Sequence, residues 1–136
     1  MTTRLNPYLN FAGNAREAMT FYHSVFAGEL TLSTFGENQM SEDPSDAEKI
    51  MHGHLETDAG LVLMGADIPT GMPYTEGDAF SVSLSGEDEE ELRSYWEKLS
   101  GSGTVTVPLE RAPWGDSFGM CKDQYGVDWL VNISGS

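Results

Sequence analysis

Apolar residues recur at helical spacing in two stretches of the chain and at strand spacing in most of the rest. In the first stretch Ala18, Met19, Tyr22, Val25 and Phe26 share one helical face. Asn14-Ala15-Arg16-Glu17 before them reads as a capping box, an Asn cap with Glu three residues on. Gly28 stops the run. The second helix is predicted to begin near Ser85-Gly86, with an acidic first turn from Glu87 to Glu91 that suits the positive helix start. Leu92, Tyr95, Trp96 and Leu99 form its apolar stripe, and Gly101 ends it.

Strands are predicted over Arg4–Phe11, Leu30–Phe35, Lys49–Thr57 and Leu61–Ala66 around the first helix. Ala79–Leu84, Thr104–Leu109, Ser117–Lys122 and Val127–Ile133 surround the second. Pro69, Gly71, Pro73 and Gly77 mark a linker over about residues 68–77. The polar stretch Glu37–Asp46, with Pro44, is read as a mobile loop, at most a lid. The two halves align with each other. An offset of about 73 residues sets Phe11 on Leu84, Gly13 on Gly86, Met19 on Leu92, Tyr22 on Tyr95, Phe26 on Leu99 and Gly28 on Gly101. After the loop an offset of about 66 sets Gly53 on Gly119 and Gly60 on Gly126. The expectation is therefore one domain over residues 1–136, of α+β class. It is built from two βαβββ modules over about 1–67 and 78–134.

Charge narrows the partners. Seven Lys and Arg against 22 Asp and Glu give a net charge of −15, which repels nucleic-acid phosphates and anionic lipids. No apolar run reaches the roughly 20 residues of a membrane span. The first residues carry no secretory pattern, and the single cysteine, Cys121, forbids an internal disulfide. A cytoplasmic location is expected.

Four segments carry a resemblance: Pro7–Ala15 with Phe21-Tyr22, Met51-His52-Gly53, Met64–Asp67, and Trp114–Gly119 with Asp123–Trp129. In this order and spacing they resemble the PhnB-like branch of the vicinal-oxygen-chelate (glyoxalase/bleomycin-resistance) superfamily. The resemblance covers nearly the whole chain. It implies that each module's sheet curls into half of a small-molecule cleft with the helices outside, and that the protein is a homodimer. It also implies metal-assisted chemistry, in which a divalent ion chelates two neighbouring substrate oxygens. Within one step of register, the superfamily's metal positions fall on Asn6, Met64, Ala79 and Leu130, none of them His or carboxylate. Met and Leu cannot hold a hard cation, so no cofactor is predicted at those positions.

Strand alternation assigns the lining. Asn6, Tyr8 and Asn10 face the cleft on the first strand, and Val62 and Met64 on the fourth. Ala79, Ser81, Ser83, Asp128, Leu130 and Asn132 follow in the second module. His52, His54 and Glu56 share one strand face, opposite Phe118 and Met120 in the repeat. Two His and a carboxylate are also the ligand types of non-haem iron and some zinc sites, the alternative reading of that triplet. His52 is read as a catalytic general base or a donor to an anionic ligand, or else as a structural His. Tyr8 is read as a cleft hydroxyl or as core, Trp114 as a cleft rim, and Trp129 and Cys121 as core. His23 is taken as an exposed helix residue.

Three functions follow. The first is a small-molecule cleft without the usual metal ligands. The second is a divalent-metal-dependent lyase, isomerase or dioxygenase of glyoxalase type. The third is a non-catalytic antibiotic-sequestering protein, whose cationic drug the negative charge would attract. No Gly-rich strand-to-helix loop suggests a nucleotide cofactor.

Overall fold

A computed structural model describes residues 3–40, 43–77 and 79–135. The chain divides into two compact units, Met1–Thr75 and Glu76–Ser136. In the first, β1 (Tyr8–Phe11), α1 (Ala15–Phe26), β2 (Glu29–Thr34), β3 (Ile50–Glu56) and β4 (Val62–Asp67) follow one another. In the second, β5 (Val82–Gly86), α2 (Glu89–Gly101), β6 (Thr104–Arg111), β7 (Ser117–Lys122) and β8 (Asp128–Ile133) do the same. Each unit makes one open four-stranded sheet, in the orders β1-β4-β3-β2 and β5-β8-β7-β6. The first and last strands of each unit pair parallel, and the other pairs are antiparallel. The α+β class and the doubled βαβββ order are as expected.

The predicted apolar stripe of α1 is its buried face: Ala18, Met19, Tyr22, Val25 and Phe26 are all buried. Register explains how the helix sits so close. Gly53 and Gly65 are cross-strand partners on β3 and β4. A Cβ on Gly53 would meet the Met19 Cγ at 3.3 Å, and one on Gly65 the Met19 Sδ at 3.0 Å. Two missing side chains thus make the groove that Met19 fills. In the second unit Gly119 plays this part under Trp96, 2.9 Å from where its Cβ would lie. Leu92, Val131 and Ile133 form one core cluster there, with Leu84, Tyr95, Trp96 and Leu109 packed on it.

Four expectations change. Asn14 occupies the cap of α1 but makes no side-chain capping bond. Asp67 at the end of β4 replaces it, its Oδ1 accepting from the Gly13 and Ala15 amides at 2.9 Å each. A residue 52 positions away along the chain outcompetes the local box, because β4 pairs beside β1 and delivers a buried carboxylate to the helix start. α2 is capped by Asp88, so it starts at Glu89 and not at Ser85-Gly86, which belong to β5. Gly101 lies in open space, and Gly103 is the residue that presses against the Lys122 carbonyl and Asp123. Gly28 makes the matching approach to Glu56 and Thr57, so Gly103 is its structural counterpart, not Gly101. Finally, the described part of the Glu37–Asp46 segment is tied at both ends. Glu37 accepts from Thr34 N and Oγ1, and buried Asp46 accepts from the Thr70 amide and hydroxyl and pairs with Lys49 at 2.9 Å.

β1 and β5 are shorter than expected. Asn6 precedes β1, where Pro7 supplies only a carbonyl, to Met64 N. Ala79 and Ser81 likewise precede β5. No helix among the described residues is long and apolar enough to cross a membrane.

Candidate functional site

The pleat of β3 puts Gly53 and Leu55 on the buried side, under α1, and a register irregularity opposite Ser33 and Thr34 leaves Ile50 buried as well. His52, His54 and Glu56 therefore point to the side that α1 leaves open. Register extends that face across the sheet. Thr31, His54, Met64 and Tyr8 lie in one cross-strand row, and Ser33 is the partner of His52. Asn10 is the partner of Ala66. The predicted residues Tyr8, Asn10, His52, His54, Glu56 and Met64 are thus brought to one face of one sheet.

The rings on this face are spaced as a strip. The Tyr8 and His52 centroids are 6.1 Å apart, and those of His52 and His54 6.2 Å. Tyr8 is 46% exposed, which removes it from the core. Glu56 Oε1 lies 3.3 Å from His54 Nε2, so Glu56 holds one nitrogen of that ring. Strand geometry keeps the triplet from closing on one point. Residues 52 and 56 are about 13 Å apart along an extended strand, and no three His, Cys, Asp or Glu side chains among the described residues could hold a metal ion.

The second unit presents its own open face. Ser83, Leu130 and Met120 form one cross-strand row, and Ser85, Asn132 and Phe118 the next. Ser85 was missed by sequence reasoning, because it was placed at a helix start. Trp114, 64% exposed in the β6–β7 turn, stands edge-on to Phe118 at 5.9 Å. Asp116 was also missed. It accepts from Asn132 Nδ2 at 3.0 Å and from the Gly135 amide at 2.9 Å. The Gly135 amide, then Asn132, holds its carboxyl below the usual carboxylate range. The Asn132 amide is therefore partly committed to Asp116. Nothing in the local sequence announces that bond, which depends on β7 and β8 pairing.

The remaining candidates fall away from both faces. Trp129 is buried and donates Nε1–H to Asp123 at 2.8 Å. Cys121 is buried too, and burial, then Asp123 and Asp128, pushes its thiol up to about 11. It packs and stays protonated. His23 is half-buried, and its ring bonds the Gly28 carbonyl at 2.9 Å, closing the end of α1.

A hard divalent ion does not fit the superfamily's ligand positions in this chain. Met64 offers a thioether beside His54, Leu130 offers no donor beside Met120, and Asn6 and Ala79 lie outside the strands. Oxygen-seeking cations need several carboxylate or carbonyl ligands.

Comparison with known proteins agrees with this architecture. The family model described as 3-demethylubiquinone-9 3-methyltransferase matches residues 3–132. Protein PA1353 from Pseudomonas aeruginosa is 35% identical, covers 99% of this chain and 100% of its own, and superposes with a TM-score of 0.86. A putative 3-demethylubiquinone-9 3-methyltransferase, PhnB protein, from Bacillus cereus is 27% identical over 97% of this chain and 100% of its own, with a TM-score of 0.76. A glyoxylase/bleomycin resistance protein/dioxygenase domain from Frankia sp. shares the fold at 14% identity, over 98% of each chain, with a TM-score of 0.66. A match over nearly every residue, on two βαβββ units, makes the chain a member of the 3-demethylubiquinone-9 3-methyltransferase family, the PhnB-like branch of the glyoxalase/bleomycin-resistance superfamily.

Proposed function

We propose that the protein binds a small organic molecule on the open sheet faces, and that it does so without the hard-cation centre of glyoxalase-type enzymes. The observation that carries this is the convergence of Tyr8, Asn10, His52, His54 and Met64 on one face that α1 leaves uncovered. Hydroxyl, amide and imidazole donors beside an aromatic strip suit a ligand with a polar end and an unsaturated body. The Ser83, Phe118, Met120 and Leu130 face of the second unit supplies a more apolar surface of the same kind. His52 is the residue proposed for direct contact, as a base or a donor.

Methyl transfer, which the family's description names, has weaker support. The first amides of α1 are occupied by Asp67, and Asp88 caps α2. Neither helix start is left as a glycine-lined anion cradle. A divalent-metal lyase, isomerase or dioxygenase would need ligands other than Met64 and Leu130. Sequestration of a cationic drug needs no such ligands and suits the net charge of −15. We place the protein in the cytoplasm as a homodimer, the latter because Leu5 and Phe80 are 100% and 89% exposed in the single chain.

A thermal-shift screen of cationic drugs and of aromatic hydroxy and carboxy compounds tests the reading. A true ligand at about 100 times its Kd stabilises by about 2.7 kcal/mol. The expected result is a rise of several degrees in wild type that is lost in His52→Ala. A hit whose amide shifts map away from His52, His54, Phe118 and Met120 would reject these faces.

A further inference from the structure

The first sheet carries a donor set of a different kind from the superfamily's hard-ion centre. We propose that His52, His54 and Met64 form a binding site for a soft monovalent cation, Cu(I). The site goes beyond the small-molecule reading and does not depend on it, although the two share a face.

Three placements support it. His52 and His54 are two residues apart on β3, so both imidazoles leave the strand on the same side, with centroids 6.2 Å apart. Met64 on β4 is the cross-strand partner of His54. Paired Cα atoms in an antiparallel ladder are about 5 Å apart, and Met64 is then a diagonal neighbour of His52. The site asks these three side chains to turn toward one ion from strands that stay paired. The strands themselves are fixed from behind, where Gly53 and Gly65 receive Met19. Ligands on packed strands are held better than ligands on loops.

The donor chemistry selects the ion. A thioether is soft and favours Cu(I), and imidazole also serves it. Mg, Ca and Mn need oxygen ligands, and Glu56 is the only carboxylate on β3. Glu56 has another use. By holding His54 Nε2 at 3.3 Å it leaves Nδ1 for the ion, the outer-shell carboxylate arrangement common to metal-bound His. The net charge of −15 concentrates cations near the surface. The one thiol that would compete for Cu(I), Cys121, is buried.

Anaerobic titration of the full chain with Cu(I), in competition with bicinchoninate, tests the site. Wild type is expected to withdraw one equivalent. Met64→Leu, His52→Ala and His54→Ala should each weaken binding by at least about tenfold with unchanged circular dichroism, while Cys121→Ala leaves it unchanged. Copper-edge absorption should find nitrogen and sulfur neighbours, the sulfur vanishing in Met64→Leu. No withdrawal of Cu(I), loss of binding in Cys121→Ala, or equal affinity in Met64→Leu would overturn the proposal. Ligand binding measured in copper-free protein is a separate result, so failure of one reading leaves the other intact.

Discussion

Asp67 satisfies three backbone donors with one side chain. Oδ1 takes the Gly13 and Ala15 amides, and Oδ2 takes the Ile50 amide at 2.9 Å. The turn into α1 and the start of β3 are thereby fixed together, and His52 follows two residues later. Removing the carboxylate strands those donors, and for the two buried ones, the Ala15 and Ile50 amides, each costs about 1–3 kcal/mol. Asp67→Ala is therefore expected to lower the unfolding free energy by about 3 kcal/mol or more. Asp67→Asn, which keeps one acceptor, should lose less. Urea unfolding measures both, and a loss below about 0.5 kcal/mol in Asp67→Ala would contradict this role. Asp123 does comparable work in the second unit, accepting from the Tyr125 and Val127 amides and from Trp129 Nε1.

At the scale of elements, Asp46 ties the described end of the segment before β3 to Thr70 and Lys49. Lys49, then the Thr70 hydroxyl, holds this carboxyl below its ordinary value of 3.8. A pKa depressed in the folded state gives stability that is complete above the unfolded value and is lost as pH falls through the folded one. Wild type should therefore exceed Asp46→Asn by a constant margin from pH 8 to pH 5, shrinking as pH falls below about 4. Urea midpoints across that range check the sign. A margin that grows on acidification would exclude the Lys49 and Thr70 ties as its source. The helices differ in how they are begun: α2 uses its own Asp88, accepting from Glu91 N at 3.0 Å, whereas α1 borrows Asp67 from β4.

For the whole molecule, charge and exposed apolar surface act in opposite directions. The net charge of −15 keeps chains apart at low ionic strength, while Leu5, Phe80 and Trp114 present apolar area to water. Salt screens the first and leaves the second. Sedimentation equilibrium at about 0.15 M salt is expected to give twice the 14.9 kDa chain mass. A single 14.9 kDa species across the micromolar range would reject the homodimer.

The periodicity of apolar residues determined both helices, every strand and the duplicated order, since a buried stripe or an alternating face is a local property of the chain. It also determined that His52, His54 and Glu56 share a face, because the strand period is two. Pairing decided the rest. Met64 stands opposite His54, and Ser85 enters the Asn132 and Phe118 row, only through inter-strand register. Strand ends followed from which backbone groups found a ladder partner, leaving Asn6, Ala79 and Ser81 outside β1 and β5. The Asp67 cap, the Asp116–Asn132 bond and the Asp46–Thr70 tie join residues from 16 to 54 positions apart. Such bonds leave no periodic trace in sequence, because they exist only where folding brings a carboxylate to donors that lie far from it along the chain.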